Sequence, residues 1–345
     1  MGYGGALRTL AVDGADAATR RVASSVPQHP GGPMSRGPQV PVPLMRAAVR
    51  ALVRPVLGPR TPLRMQRWWL DTVARPTPVA EGVDVRRGEL GGRPVEVFVP
   101  RDGADGPTVL YLHGGGFTIG SPVTHRALAS HLAAASGASV HVLDYRLAPE
   151  HPFPAALDDA VAAYRDLLAR GARPARTVLA GDSAGGWLAL AAALRLRDGG
   201  GPLPAALGLV SPWLDLQGSA WPADRTDAML RPDWLRRCAA GFTAGADAPE
   251  FALLDADLAG LPPMTVHAGS EEILLDDAVR LARAARAAGV PVDLRRLDGL
   301  WHVAHASAGA VRASTAAVQA LGAALAARCA GSQADSARAD GDAAA

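Results

Sequence analysis

The stretch LAGDSAGGWLALAAALRLR, residues 179–197, decides the fold class of this chain. An apolar run ends at Gly181, the polar residues Asp182 and Ser183 follow, and an alanine- and leucine-rich segment of helical character then begins. A segment meant only for burial would avoid these two side chains, because a buried hydroxyl or carboxylate without a partner costs about 1–3 kcal/mol. The polar interruption between a strand pattern and a helix pattern therefore indicates a functional turn.

Strand and helix patterns alternate on both sides of this turn. Short apolar or alternating runs predict β-strands at 83–87, 94–100, 108–112, 139–144, 177–180, 206–210, 264–268 and 292–297. Helical patterns lie between them, at 124–136, 155–170, 185–197, 277–288 and about 308–327. This alternation predicts an α/β protein with a mostly parallel central sheet and helices on both faces.

The predicted domain organisation follows changes in composition along the chain. Residues 1–39, rich in Gly, Pro, Ala and Ser, and the polar tail 329–345 are predicted to be disordered. Residues 40–75 predict helices of an N-terminal cap. The α/β domain is predicted at 76–328. A segment at about 213–258 with its own helix interrupts the alternation, which indicates a cap insertion.

The composition bounds the class of protein. With 345 residues, 49% of them hydrophobic, the chain can form one large α/β domain or two small ones. The net charge of +2, with interspersed signs, gives no reason to expect nucleic acid or an anionic membrane as partner. Cys238 and Cys329 lack metal-ligand spacing and fit a reducing compartment. Because we find no signal-peptide or membrane-spanning pattern, we expect a cytoplasmic protein without stable membrane insertion.

The polar turn fits the G-x-S-x-G pattern of a nucleophile elbow, with Ser183 at its centre. On the five residues alone, an ordinary helix start with Ser183 as N-cap is equally compatible. The context favours the elbow, because the pattern follows a strand and opens a long helix. Gly181 and Gly185 also remove Cβ atoms where a tight strand-to-helix turn would clash.

A serine nucleophile needs a histidine base and an acid. In proteins with a nucleophile elbow, the acid follows the serine in the chain and the histidine follows the acid. His302 follows the last predicted strand and a glycine-containing loop, so it is the candidate base. His305 falls where the last helix should begin and is interpreted as an ordinary surface histidine. Glu272, in the loop after the penultimate strand, is the candidate acid. Asp276 is its rival, although at a helix start a carboxylate commonly caps amides.

Three consecutive glycines, Gly114, Gly115 and Gly116, follow the strand at 108–112. They could be a flexible turn, but they occupy the place of an oxyanion loop. Glycines there let backbone N–H groups approach a developing negative charge without interference from side chains. The N–H of Ala184, directly after the nucleophile, is the expected further donor.

Four features together resemble the hormone-sensitive lipase family of α/β hydrolases, and more narrowly its bacterial carboxylesterases. They are HGGGF at 113–117, DYRLAPEHPFPAALDD at 144–159, GDSAGG at 181–186 and the pair Glu272 and His302. The resemblance implies an α/β-hydrolase fold with a helical cap. One departure is that many members carry Asp-Pro-Leu at the acid position, where this chain has Glu-Ile-Leu at 272–274.

The resemblance also implies a catalytic triad of Ser183, Glu272 and His302, and a reaction without cofactor or metal. We expect a serine carboxylesterase that hydrolyses short- to medium-chain esters through an acyl-enzyme, with a small-molecule ester as partner and a homodimer as an open possibility. Activity should decline as the pH falls through about 6–7, where a histidine base becomes protonated. The alternatives are a lactonase or a deacetylase of a small metabolite with the same triad, or a binding module without catalysis.

Apolar side chains of the predicted cap are candidates to line an acyl pocket, although ordinary cap packing would explain each of them as well. They are Trp68, Trp69, Leu70, Trp221, Met229, Trp234 and Phe242.

Overall fold

The structure is a computed structural model, and it describes residues 39–102, 106–219, 221, 227–246 and 248–342, without the side chains of 249 and 331–342. Nearly all of the N-terminal segment predicted to be disordered, and part of the cap insertion, lie outside these described residues. The described residues belong to one compact unit, Ser35–Ala345.

Eight β-strands of the described chain form one sheet in the order β1-β2-β4-β3-β5-β6-β7-β8. Strands β1 and β2 pair antiparallel with each other, β2 pairs antiparallel with β4, and all other neighbours are parallel. The strands are β1 (Val83–Leu90), β2 (Arg93–Pro100), β3 (Thr108–Leu112), β4 (Ser139–Leu143), β5 (Thr177–Asp182), β6 (Ala206–Val210), β7 (Met264–Gly269) and β8 (Val292–Leu297). The prediction of a mostly parallel sheet is confirmed.

Eight α-helices accompany the sheet in the part of the chain that is described. They are α1 (Val42–Leu52), α2 (Leu63–Ala74), α3 (Arg126–Ser136), α4 (Ala155–Ala169), α5 (Ala184–Asp198), α6 (Pro232–Thr243), α7 (Leu275–Ala287) and α8 (Arg312–Asp342). Helix α8 continues through the alanine-rich segment after Arg328, where the sequence predicts a disordered tail; alanine favours helix. Among these helices, none combines the length and the apolar character of a bilayer-spanning segment.

The core lies on both faces of the sheet. Along β3, Val109 and Tyr111 pack into one apolar cluster and Leu110 and Leu112 into another, because successive side chains of a strand point to opposite faces. Helices α3 and α8 contribute to the first cluster, and α4, α5 and α7 contribute to the second. A sheet that is covered on both faces leaves its strand ends as the place for polar chemistry.

The two predicted parts of the cap meet in space. Trp234 of α6 donates its indole N–H to Gln66 Oε1 of α2 over 2.9 Å, and both side chains are buried. Arg237 of α6 donates to the carbonyl oxygens of Pro59 and Thr61, just before α2. The two segments predicted to form the cap therefore contact each other, although they lie about 170 residues apart in the chain.

Candidate active site

Ser183 connects β5 to α5 in a strained backbone conformation, with φ at 52° and ψ at −120°. Positive φ is costly for a residue with a side chain and persists only where the surroundings enforce it. The enforcement comes from close backbone contact. A Cβ on Gly181 would lie 2.3 Å from Gly185 O, and a Cβ on Gly185 would lie 1.9 Å from Leu112 O. Only glycine fits at either position, which explains why glycines stand on both sides of Ser183.

The simpler interpretation of Ser183 as a helix N-cap does not fit this conformation. An N-cap residue normally has β-region dihedral angles and bonds its side chain to the first turn. Ser183 has neither property within the described part of the chain. Its backbone is instead held by neighbouring strand ends, because its N–H donates to Val210 O and its carbonyl accepts the N–H of Trp213.

His302 and Glu272 are brought together at the ends of β8 and β7. His302 Nδ1 lies 3.3 Å from Glu272 Oε2, and both side chains are almost completely buried. The rival carboxylate, Asp276, is half-buried in the first turn of α7. Of the two carboxylates considered from the sequence, Glu272 is therefore the one in ion-pair contact with the imidazole.

The surroundings of His302 favour its protonated form. Burial by itself would lower the pKa of His302, but contact with Glu272 and the negative charges of Glu272, Asp227 and Asp182 outweigh it. The pKa of His302 therefore lies above its usual value of 6.5. This environment suits a base that must accept a proton and carry it as an imidazolium through the reaction.

Asp227, in the cap insertion, is a buried carboxylate that sequence reasoning missed. Its Oδ1 accepts the N–H groups of Met229 and Leu230, and its Oδ2 accepts the N–H of Ile273 over 3.1 Å. Because Ile273 directly follows Glu272, this bond fixes the acid loop to the cap. Nothing in the local sequence distinguishes Asp227 from a surface aspartate, so the contact was not predictable.

The glycine loop after β3 does not present its three N–H groups equally. Gly114 donates its N–H to Asp182 Oδ1 over 3.1 Å, inside the protein. The expectation that Gly114 contributes to an oxyanion hole therefore does not match this structure, since its donor is already used by the carboxylate beside the nucleophile. Gly115, Gly116 and Ala184 remain the candidate donors.

His305 is not a surface residue, and the sequence-based interpretation of it was wrong. It is 1% exposed, and its Nε2 lies 3.1 Å from Nδ1 of the buried His267 on β7. Burial lowers the pKa of His305 to about 4, so both rings are neutral at pH 7. The expected α-helix start is replaced by a short 3-10 turn, Ala304–Ser307, that packs His305 inward.

Ser183 and His302 line one cavity of about 260 Å³ together with the glycine loop. Apolar side chains make up most of the remaining wall. They include Val49, Val53, Leu57, Leu70, Val73, Ile119, Met229, Leu230, Trp234, Trp301 and Val303.

Of the seven apolar cap residues considered from the sequence, only Leu70, Met229 and Trp234 line this cavity. The others have different surroundings: Trp68 is exposed, and Phe242 stacks on Phe117 with ring centroids 3.8 Å apart. Helical spacing could not separate the two groups, because it does not say which face of a cap helix meets the cavity.

The side chains around the cavity fit acyl-transfer chemistry. A hydroxyl on a strained turn and an imidazole line the cavity beside the backbone of the glycine loop, and a buried carboxylate lies against the imidazole. The described side chains include no group of three or more His, Cys, Asp or Glu residues placed to hold a metal ion.

Comparison with known sequences supports the same chemistry. A family described by its α/β-hydrolase fold matches residues 109–306. An acetyl-hydrolase of Streptomyces hygroscopicus is 50% identical over 206 residues, which cover 58% of this chain and 69% of that protein. An esterase of Acinetobacter venetianus is 35% identical over 265 residues, covering 75% of this chain and 86% of the esterase.

A solved structure extends the similarity to the whole fold. The crystal structure of an esterase from the bacterial hormone-sensitive lipase family superposes with a TM-score of 0.79 at 38% sequence identity. The match covers 85% of this chain and 100% of that one.

Proposed function

The chain belongs to the hormone-sensitive lipase family of α/β hydrolases, and we propose that it is a serine carboxylesterase. The observation that carries this proposal is the joint presence of Ser183, on its strained turn, and His302 in the wall of one cavity, with Glu272 against the imidazole. A hydroxyl becomes a nucleophile at neutral pH only with such a base beside it.

In the proposed reaction, Ser183 Oγ attacks the ester carbonyl carbon while His302 takes the hydroxyl proton. The carbonyl oxygen becomes an oxyanion that the N–H groups of Gly115, Gly116 and Ala184 are proposed to stabilise. The tetrahedral intermediate then expels the alcohol, which receives the proton from His302, and the acyl group stays on Ser183. Water, deprotonated by His302, then attacks the acyl carbon. The second tetrahedral intermediate expels the serine oxygen, which recovers the proton from His302, and the carboxylic acid is released.

Glu272 is proposed to hold the imidazole for both steps. A carboxylate at Nδ1 keeps the proton on that nitrogen, so that Nε2 is free to accept the serine proton. The same negative charge stabilises the imidazolium that forms. Because both groups are buried, the interaction is screened less by solvent than a surface ion pair.

The cavity favours small, apolar acyl groups. Its volume of about 260 Å³ lies just below the range of about 300–1,000 Å³ that is typical of pockets for drug-sized ligands. Its walls are mostly apolar side chains from the cap. We therefore propose short acyl chains as the preferred substrates, with medium chains at the limit.

A deacetylase of an acetylated metabolite is the second candidate, favoured by the similarity to a protein named acetyl-hydrolase. The same triad would serve it. A homodimer and a cytoplasmic location stay predictions of the sequence.

The test is hydrolysis of p-nitrophenyl esters from acetate to dodecanoate, together with lactones and acetamides. We expect the wild-type protein to prefer acetate to butyrate-length esters, and the Ser183→Ala variant to lose activity by about 10⁶-fold. A fluorophosphonate probe should label the wild type and not this variant. Equal ester turnover by the two proteins would contradict the proposal.

A further inference from the structure

The carboxylate of Asp182 lies directly before the nucleophile and takes no part in the proposed reaction. It is 2% exposed at the end of β5. A buried carboxylate is retained at large cost unless donors and a counter-charge surround it. Its surroundings therefore show what it does.

Three donors from different elements converge on one oxygen, Asp182 Oδ1. The hydroxyl of Tyr111 on β3 donates to it over 2.9 Å, and the N–H of Gly114 donates over 3.1 Å. His125 Nε2 lies 3.0 Å away. Tyr111 precedes the glycine loop and His125 follows it, in the 3-10 turn Val123–His125 before α3. Asp182 Oδ1 therefore links the turn at Ser183 to residues before, within and after the glycine loop.

The contact with Gly114 is close as well as polar. A Cβ on Gly114 would lie 2.2 Å from Asp182 Oδ2 and 3.0 Å from the backbone oxygen of Asp182. The loop beyond it closes on itself, because the N–H groups of Thr118 and Ile119 both donate to Gly115 O. A shift of the carboxylate would therefore move the peptide units that follow Gly114.

The surroundings of Asp182 and His125 favour opposite charges on the two side chains. Burial by itself would raise the pKa of Asp182. The charge and the hydrogen bond of His125 outweigh this effect, so the pKa of Asp182 lies below its usual value. Burial would lower the pKa of His125, but Asp182 and Ser121 O outweigh it, and its pKa lies above 6.5. His125 Nε2 lies 3.0 Å from Asp182 Oδ1 and 3.3 Å from the backbone N of Gly114, and Nδ1 lies 3.2 Å from Ser121 O and 2.8 Å from Thr124 Oγ1.

Two titratable side chains beside Asp182 and His125 carry no charge at neutral pH. His113, whose ring centroid is 5.6 Å from that of His125, has its pKa lowered to about 3 by burial and is neutral. Tyr111 has its pKa raised by burial and by Asp182, so it stays a donor. Asp71 accepts the hydroxyl of Ser121 from outside the network.

We propose that Asp182 and His125 are positioning residues for the oxyanion loop: they draw the N–H of Gly114 into the protein and thereby fix the orientation of the Gly115 and Gly116 donors. The inference rests on the proposed ester hydrolysis. Donors must be in place before charge develops, and misplaced donors lose transition-state stabilisation while leaving ground-state binding nearly unchanged.

The test compares His125→Ala with His125→Gln, whose amide can still donate to Asp182. His131→Gln is the matched control, because this histidine on α3 also contacts a backbone carbonyl, Ala127 O, but lies outside the network. We expect His125→Ala to lower kcat for p-nitrophenyl acetate by about 10–100-fold, less than the 10²–10³-fold typical for removal of a donor. KM should change less than about threefold, His125→Gln should recover part of the loss, and His131→Gln should equal the wild type.

Inhibitor binding separates positioning from general damage. A trifluoromethyl ketone forms a tetrahedral adduct with an oxyanion, whereas the matching methyl ketone stays trigonal. We expect the affinity for the first to fall in parallel with kcat across the variants, and the affinity for the second to stay constant. If His125→Ala does not fold, Tyr111→Phe, which removes another donor to the same oxygen, is measured in its place and should show the same parallel with a smaller loss.

Two outcomes would overturn the inference. One is a His125→Ala variant, or Tyr111→Phe in its place, that is as active as the His131→Gln control. The other is a loss of kcat in that variant without weaker binding of the trifluoromethyl ketone. A wild-type protein that hydrolyses none of the esters would contradict the proposed function instead, so the two failures are distinguishable.

Discussion

Gly185 approaches Leu112 so closely that a Cβ on the glycine would lie 1.9 Å from the leucine carbonyl oxygen. Leu112 is the last residue of β3, directly before the glycine loop, and Gly185 stands in the first turn of α5. The contact therefore sets how near the nucleophile turn lies to the candidate oxyanion donors.

Gly185→Ala should consequently destabilise the protein by about 3 kcal/mol or more, because backbone atoms cannot move aside for the added methyl group. Urea unfolding measures the change. Gly241→Ala is the control within another helix, since a Cβ there meets only ordinary contacts at 3.8 Å. It should raise stability by up to about 1 kcal/mol. Similar unfolding midpoints for the two variants would contradict the structural account of the turn.

The raised pKa of His302 predicts the pH profile of activity. The base must be neutral to accept the serine proton, so kcat/KM should decline as the pH falls through the pKa of His302, with a midpoint above 6.5. Glu272→Gln removes the charge that contributes most to the raised pKa, so the acid limb should move to lower pH and kcat should fall by about 10⁴-fold.

Glu271→Gln is the matched control for this measurement. Glu271 is exposed, and its nearest recorded charge is Arg46 at 3.9 Å. It should retain the wild-type profile, and Asp276→Asn should do the same. If Asp276→Asn rather than Glu272→Gln moved the acid limb, Asp276 would be the triad acid.

Asp227→Ala should weaken both folding and catalysis. It leaves the N–H groups of Met229, Leu230 and Ile273 without their acceptor, and each buried unpaired group costs about 1–3 kcal/mol. We expect the free energy of unfolding to fall by about 3 kcal/mol or more. We also expect kcat to fall, because Ile273 directly follows Glu272 and its bond to Asp227 holds the loop in place. Asp84→Ala, at an exposed ion pair with Arg101, should change stability by less than about 1 kcal/mol.

Met229→Ala should enlarge the acyl cavity. Because Met229 lines its wall, we expect the ratio of kcat/KM for hexanoate to that for acetate to rise by about tenfold, the lower end of the effect of one methylene group on specificity. Met65→Ala is the control, since Met65 is an exposed methionine on cap helix α2. An equal ratio in the two variants would place the acyl chain elsewhere.

The local sequence predicted the elements that make up the site. Glycines on both sides of Ser183, a strand before them and an alanine-rich helix after them specify the turn, because each is a backbone requirement that neighbouring residues express. For the same reason the bounds of β3, β6 and β8 agree with the sequence prediction to the residue. The place of His302 after the last strand was the reason to predict it as the base.

What the sequence determined by itself was the order of strands and helices along the chain, the α/β class and the strand-to-helix turn at Ser183, since these follow from periodicity and from residues adjacent in the chain. Only the tertiary structure decided that Glu272 rather than Asp276 contacts His302, that Gly114 gives its N–H to Asp182, and that His305 is buried. The physical reason is that hydrogen bonds and burial join residues far apart in sequence, such as Gly114 and Asp182, and their geometry exists only once the sheet has formed.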